Sequence, residues 1–219
     1  MQSVITWLLI VLLAGSVLSL LLMGLGQERR ASRLARKAHE HRLSFAKSDP
    51  FDIPLRYRNL ALVAAGHSGH ANNVTYGRLE GWPLRACDFR YESAHGTRRL
   101  TRHYSLVLVE TDLDLPAVLM WHEQDLDAAP VSLRQSTRQQ GPWVCVGDDA
   151  LARRLTEAFA QAGDGERLSA QVLGCVLAVF CPVRRRRDDY LPLLEVLRAV
   201  LNRQLSMANG QIGNGRFPQ

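Results

Sequence analysis

The first pattern along the chain is an unbroken apolar run. Residues 3–26, SVITWLLIVLLAGSVLSLLLMGLG, carry no charged side chain. As a helix rising 1.5 Å per residue the run is roughly 36 Å long, enough to cross a hydrocarbon core of about 30 Å. A transmembrane anchor over residues 1–26 is expected. A cleaved signal peptide would show a basic residue before a shorter apolar core and an A-x-A-like exit. Here Met1 and Gln2 are uncharged, and GLGQERR follows the run. A retained anchor fits better.

The pattern then becomes helical and basic. Residues 27–48, rich in Ala and Arg, read as a juxtamembrane helical stalk, ending before SDPFDIP, where Pro50 and Pro54 disfavour further helix. A soluble domain is expected over 49–206. Between residues 73 and 121 short β-prone runs alternate with turn signals. Glu80-Gly81 is a hairpin turn, Pro83 requires an edge or bulge position, and SAHGTRR is the next turn. HYSLVLVE reads as a central strand covered on both faces at one end, and LPAVLMWHE as a further strand completing an antiparallel meander.

The last third changes period. Leu151, Leu155 and Phe159 recur every four residues after a capping Asp148 or Asp149, and Gly163 marks the end of that helix. LSAQVLGCVLAVFCPV gives two apolar strands around Gly174 and Cys175. A final helix opens at Asp188 or Asp189, tolerates Pro192 in its first turn, and places Leu191, Leu194, Leu197, Leu201 and Leu205 on one side. The tail 207–219, MANGQIGNGRFPQ, is compositionally flexible. The fold class is therefore α+β: one transmembrane helix and basic stalk, then a mainly antiparallel β domain with two amphipathic helices in its C-terminal third.

Charge orients the anchor. The net charge is +6, and Arg29, Arg30, Arg33, Arg36 and Lys37 follow the apolar run directly, with Arg42 and Lys47 beyond them. The positive-inside bias places the amino terminus outside and the C-terminal domain in the cytoplasm, at the inner (plasma) membrane. These basic side chains suit anionic headgroups, at about 1 kcal/mol each where they approach the surface. Cys87, Cys145, Cys175 and Cys181 show no C-x-x-C pair or zinc spacing and should be free thiols in a reducing cytosol, with Cys175 and Cys181 acting as small hydrophobes. The sequon Asn73-Val74-Thr75 is silent on that side.

Several motifs together resemble a family of uncharacterised bacterial single-pass membrane proteins. They are Asp49-Pro50-Phe51 with Pro54, then Gly66-His67-Ser68, Asn73, Gly77 and Gly81, then Cys87-Asp88-Phe89-Arg90-Tyr91 and Thr101-Arg102-His103-Tyr104. In that family the strand reads F-D-Y-R-Y, and here it reads C-D-F-R-Y. The resemblance implies the anchor, stalk and domain order and carries no activity.

Candidate chemistry centres on AAGHSGHANNVTYG, residues 64–77. GHSGH ends in His70 where a nucleophile elbow has Gly, and a strand is expected to follow rather than a helix. A Ser–His relay through His103 and Asp88 would depend on tertiary geometry. His67 and His70 could join His95, His103 or His122 around a metal, but Gly69 argues for a turn. The plainer reading is a polar loop of His67, Ser68 and His70, with Asn72 and Asn73, that satisfies backbone groups.

Glu110, Asp112, Asp114, Glu123, Asp125 and Asp127 lack EF-hand spacing and read as exposed strand ends. Trp82, Trp121 and Trp143 read as packing residues. Arg98, Arg99 and Arg102, with Arg184, Arg185, Arg186 and Arg187, form a candidate basic contact patch for anionic lipid or an acidic protein, or else a solvated turn. No nucleic-acid module accompanies the charge.

The reading is a membrane-anchored cytoplasmic binding or adaptor module, more a non-enzyme than an enzyme. No cofactor, metal or catalytic set is assigned. Its partners are the bilayer through residues 3–26 and a protein or anionic lipid. Two alternatives stand beside it: a membrane-tethered hydrolase or metal-dependent enzyme using the His67/Ser68/His70 loop, and an accessory subunit of a larger membrane complex.

Overall fold

The computed structural model describes residues 2–95, 98–136, 138–161, 167–183 and 190–212. Helix α1 spans Gln2–Glu40, so the uncharged run and the basic segment form one continuous helix. Its described apolar side chains, Trp7, Leu9, Ile10, Val11, Leu12, Leu13 and Leu18, are all exposed. Five consecutive exposed positions, at about 100° per residue, cover the whole circumference. Side chains at 2–5, 8, 17 and 20–27 lie outside the description. Among the described residues, no helix is long and apolar enough to cross a membrane.

Further along, α1 behaves differently. Ala31, Leu34 and Ala38 are buried, at i, i+3 and i+7 spacing, while Arg29, Arg33, Arg36 and Lys37 face solvent. The segment read as a stalk therefore packs on the domain. After a tight turn in which the Leu43 N–H donates to the Ala38 carbonyl at 2.8 Å, the chain enters the sheet as β1, Ser44–Ser48. Lys47 of β1 meets Glu28 of α1 at 2.7 Å, so the strand runs back along the helix, antiparallel to it.

The other strands are β2 (His67–Leu79), β3 (Trp82–His95), β4 (Arg98–Glu110), β5 (Val118–His122), β6 (Gln139–Gln140), β7 (Trp143–Gly147), β8 (Ser169–Leu173) and β9 (Val176–Pro182). Among the described residues they form one nine-stranded sheet, ordered β1-β2-β3-β4-β9-β8-β5-β7-β6, with every pairing antiparallel. The expected α+β class with a large antiparallel sheet is observed.

One connection corrects the expected meander. β5 does not lie beside β4; it sits between β7 and β8, and β9 returns to fill the place next to β4. β4 is central, as its double-sided apolar pattern required. Glu80 and Gly81 turn β2 into β3 with φ of 50° and 90°, a conformation that favours glycine and suits the twist of a two-residue hairpin. Pro83 pairs with Arg78 of β2 and lies just beyond the first β3–β4 pair, Leu84 with Val109, so its missing N–H costs no ladder bond on that side.

Both faces of the sheet are covered. On one face α1, α5 (Asp149–Gln161) and α6 (Leu191–Ile212) pack on Leu84, Ala86, Val107, Val109, Leu177 and Val179. Asp148 caps α5, its Oδ1 accepting from the Leu151 N–H at 2.7 Å, and Leu151, Leu155 and Phe159 are buried at the expected spacing. In α6, Leu191, Leu194, Leu197 and Leu201 are buried and Pro192 is exposed. This helix continues to Ile212, so the first half of the tail expected to be flexible is helical.

On the other face the short helices α2 (Ile53–Arg56), α3 (Ala61–Ala64) and α4 (Val131–Arg134), with a 3-10 turn over Glu123–Ala128, cover Cys87, Phe89, Tyr91, Tyr104, Leu106, Trp121 and Phe180. The D-P-F-x-x-P entry has a physical role there. Asp49 accepts from the N–H groups of Phe51 and Ile53 at 2.9 and 2.6 Å, and Phe51 packs edge-on against Tyr76. Trp121 and Trp143 are core residues, and Trp82 donates its indole N–H to Asp112. Gly163, Asp188 and Asp189 lie outside the described residues.

Candidate functional site

Alternation along β3 sends Asp88 to the helix-covered face and Phe89 to the opposite one. Asp88 is where α1 is fixed to the sheet. Arg30 donates Nε to one carboxylate oxygen at 2.9 Å and Nη2 to the other at 2.7 Å. Asn73 donates its side-chain amide to the same carboxylate at 2.8 Å. The Asn73 carbonyl accepts from the Tyr190 hydroxyl at 2.6 Å, and that hydroxyl also meets Thr75 Oγ1 at 2.6 Å. One polar network thus joins α1, β2, β3 and the residue that leads into α6. Burial pushes the Tyr190 hydroxyl above its ordinary pKa, so it stays protonated as a donor. Arg30, grouped in the sequence with the membrane-facing basic residues, is turned inward, where the partly buried Asp88 carboxylate accepts its guanidinium.

Beyond Asp88, towards the ends of β2, β3 and β4 nearest residue 28, several polar side chains on the helix-side face are exposed. Directly paired antiparallel residues share a face. His70 pairs with Arg90, and Arg90 with His103; His67 pairs with Glu92, and Glu92 with Thr101. His67, His70, Arg90, Thr101 and His103 are all exposed. His67 and Glu92 approach to 3.8 Å.

The expected polar loop is therefore not a loop. His67, Ser68 and His70 open β2, whose register shifts between His67 and His70 and again between Asn72 and Thr75, with Ser68 and Asn73 at φ of 54° and 51°. These are β-bulges. Gly66 precedes them because a Cβ there would lie 2.4 Å from the Glu92 carbonyl oxygen. The arrangement does not assemble a relay, since both oxygens of Asp88 are engaged by Arg30. Among the described residues, no group of three or more His, Cys, Asp or Glu side chains is placed to hold a metal ion.

Of the expected basic patch, Arg102 is the residue whose side chain is described. Arg98 and Arg99 open β4, with side chains outside the description, and Arg184, Arg185, Arg186 and Arg187 lie outside the described residues. Arg102 is half-buried and paired with Asp127.

The carboxylates also separate. Asp112, Asp114, Glu123 and Asp127 are exposed, as expected of strand ends, whereas Asp125 is buried against Arg167 at 2.9 Å. Glu110 is partly buried, accepting from Tyr57 at 2.7 Å and Arg56 at 2.9 Å, with Arg85 at 3.2 Å. Burial alone would raise its pKa, but these donors outweigh that and hold the carboxyl below its usual range. Arg85 also stacks over Phe51 at 4.9 Å, tying this cluster to the chain entry. Neither cluster was visible in the sequence, because their members come from separate segments of the chain.

None of the four cysteines forms a disulfide. Cys175, expected to act as a buried hydrophobe, is exposed in the β8–β9 turn instead, because Gly174 at φ 58° reverses the chain there. Cys87 and Cys145 are the buried pair. A shallow depression lined by Arg138, Gln139, Gln140, Asp149 and Arg153 lies at the β6 edge. Within it Arg138 pairs with Asp149.

No protein-family model matches the chain, and no curated protein matches it. Among solved structures it is similar to the mycobacterial trehalose monomycolate transport factor A, TtfA, with a TM-score of 0.54 and 14% identity over 80% of this chain and 91% of that one. That likeness shows a shared fold.

Proposed function

We propose that this protein is a membrane-anchored, non-catalytic adaptor: residues 3–26 span the inner membrane once, and the α+β domain stands in the cytoplasm, where it engages a protein partner. The carrying observation is the division of α1. Its first part exposes apolar side chains around the full circumference, while its second part is buried on the sheet and fixed by Arg30 to Asp88. An exposed helix that is hydrophobic all round calls for lipid, and a buried, ion-paired continuation transmits that placement to the domain without a flexible joint. The basic residues after the run support a cytoplasmic domain. Membership of the single-pass family that the motifs resemble is part of the same proposal.

A specific observation favours an accessory role within a larger membrane complex. The similar fold of TtfA belongs to a transport factor. The enzyme alternative has less support, since His67, Ser68 and His70 are exposed along a strand and both oxygens of Asp88 are engaged by Arg30.

Two measurements test this reading. Alkaline carbonate should leave the full chain in the membrane pellet and release a variant lacking residues 2–26. In intact cells, a cysteine introduced at Thr156 should resist an impermeant maleimide until the membrane is opened. Extraction of the full chain by carbonate, or labelling before opening, overturns the anchor or its orientation. Affinity purification from detergent extracts should recover a membrane protein at fixed stoichiometry, and recovery of the chain alone overturns the adaptor role.

A further inference from the structure

We propose that the outer edge of β1 takes an extended segment of a partner membrane protein as a further strand of the sheet. The segment is the cytoplasmic stretch that leaves the bilayer directly after a transmembrane helix of that partner. This rests on the reading of residues 3–26 as a span and of the domain as an adaptor, and it names the surface by which the adaptor holds its partner.

The two edges of the sheet differ. Among the described residues one edge is β6, two residues long, whereas the other is β1 with five, Ser44–Ser48. In an antiparallel pair alternate residues turn N–H and C=O away from the partner strand, so the outer side of β1 presents backbone groups along about 17 Å. Natural sheets blunt such edges by shortness, charge or proline. β6 is blunted by its length. The one charge in β1, Lys47, is held along α1 by Glu28 at 2.7 Å, and Pro50 closes the edge only beyond Asp49.

Direction selects the occupant. The Leu43 N–H meets the Ala38 carbonyl and Lys47 meets Glu28, so about 15 Å of helix runs beside about 13 Å of strand. β1 therefore lies nearly along α1 and points back at the membrane. Lys47, one residue before its end, is at the level of Glu28, about 3 Å along the helix from Gly26, where the uncharged run stops. A chain that emerges from the same bilayer beside α1 runs away from the membrane, antiparallel to β1, and meets Ser48 within its first few residues. That is the sense of every pairing in this sheet. The same geometry excludes a second copy offering its own β1. Identical edges pair only when their strands run in opposite directions, and two copies in one membrane both point β1 towards it.

The flanks of β1 define the side chains that fit. Leu43 and Phe45 are partly buried against the helix-side core and Lys47 meets α1, so these alternate residues face the helix. Ser44 and Ser48 are exposed on the other side. An arriving strand with apolar or β-branched residues on the α1 side and polar residues between them matches both flanks. Main-chain bonds then supply affinity, and the alternate side chains supply specificity.

Photo-crosslinking of the full chain in intact cells tests this. p-Benzoylphenylalanine replaces Ser44 or Ser48 at the β1 edge, or Gln139 at the opposite edge. Adducts from positions 44 and 48 should exceed those from 139 several-fold, and peptide mapping should place both in one membrane protein, just past a transmembrane helix. The residue caught by position 48 should lie nearer that helix, with the residue caught by position 44 about four residues further on, because the strands are antiparallel. The reverse order, adducts elsewhere in that protein, in a soluble protein or in a second copy of this chain, yields equal to those at 139, or no adduct at all overturns the edge as the docking site. Recovery of a partner by affinity purification alongside any of these results leaves the adaptor reading standing without it. Release of the full chain by alkaline carbonate overturns the anchor, and the docking edge with it.

Discussion

Arg30 and Asp88 stand on different elements, fifty-eight positions apart, and are joined by two hydrogen bonds of 2.9 and 2.7 Å that leave both side chains mostly shielded from water. The pair makes the continuation of the apolar helix part of the folded domain.

Removing one partner leaves the other as a shielded, uncompensated charge. Asp88→Ala should destabilise the domain by about 2–4 kcal/mol, read from denaturant midpoints in detergent. Hydrogen exchange of the α1 amides from 28 to 40 should rise, because the helix loses its tie to β3. The double variant with Arg30→Ala should cost less than the sum of the two single changes.

Gly66 tests the close approach of the chain to β3. Gly66→Ala would place a Cβ 2.4 Å from both the Glu92 carbonyl oxygen and the Tyr91 ring, so the backbone must shift. A loss of about 1–3 kcal/mol is expected, measured by thermal unfolding.

Glu110 gives a pH dependence with a definite sign. Its carboxyl is held below the ordinary range in the folded state, so its contribution to stability is present above an unfolded-state pKa of about 4.3 and is lost as pH falls through the lower folded value. Glu110→Gln should therefore be less stable than the parent at neutral pH, and the difference should shrink on acidification. Unfolding midpoints compared between neutral and acid buffers read this directly.

Thiol reactivity should follow burial. Cys175 should label first with a maleimide in the native protein. Cys145, whose thiol burial pushes up to about 11, and the fully buried Cys87, pushed up in the same way, should label only on unfolding. Peptide mapping after timed labelling checks the order.

Local rules carried much of this architecture from the residues alone. The Glu80-Gly81 hairpin, the Asp148 cap and the four-residue spacing of Leu151, Leu155 and Phe159 depend on neighbours a few positions away, and each formed as its local chemistry requires. The doubly apolar pattern of β4 likewise marked it as central.

What sequence could not specify were relations between distant segments. His67 and His70 read as a loop because glycines surround them, yet pairing with β3 supplies the hydrogen bonds that make the stretch a bulged strand. Arg30 looked like its basic neighbours until the sheet brought a carboxylate to its side of the helix. The placement of β5 away from β4, and the meeting of Arg30 with Asp88, arise from strand pairing and helix packing across long separations. Side-chain periodicity records whether a residue is covered; only the folded chain decides by what.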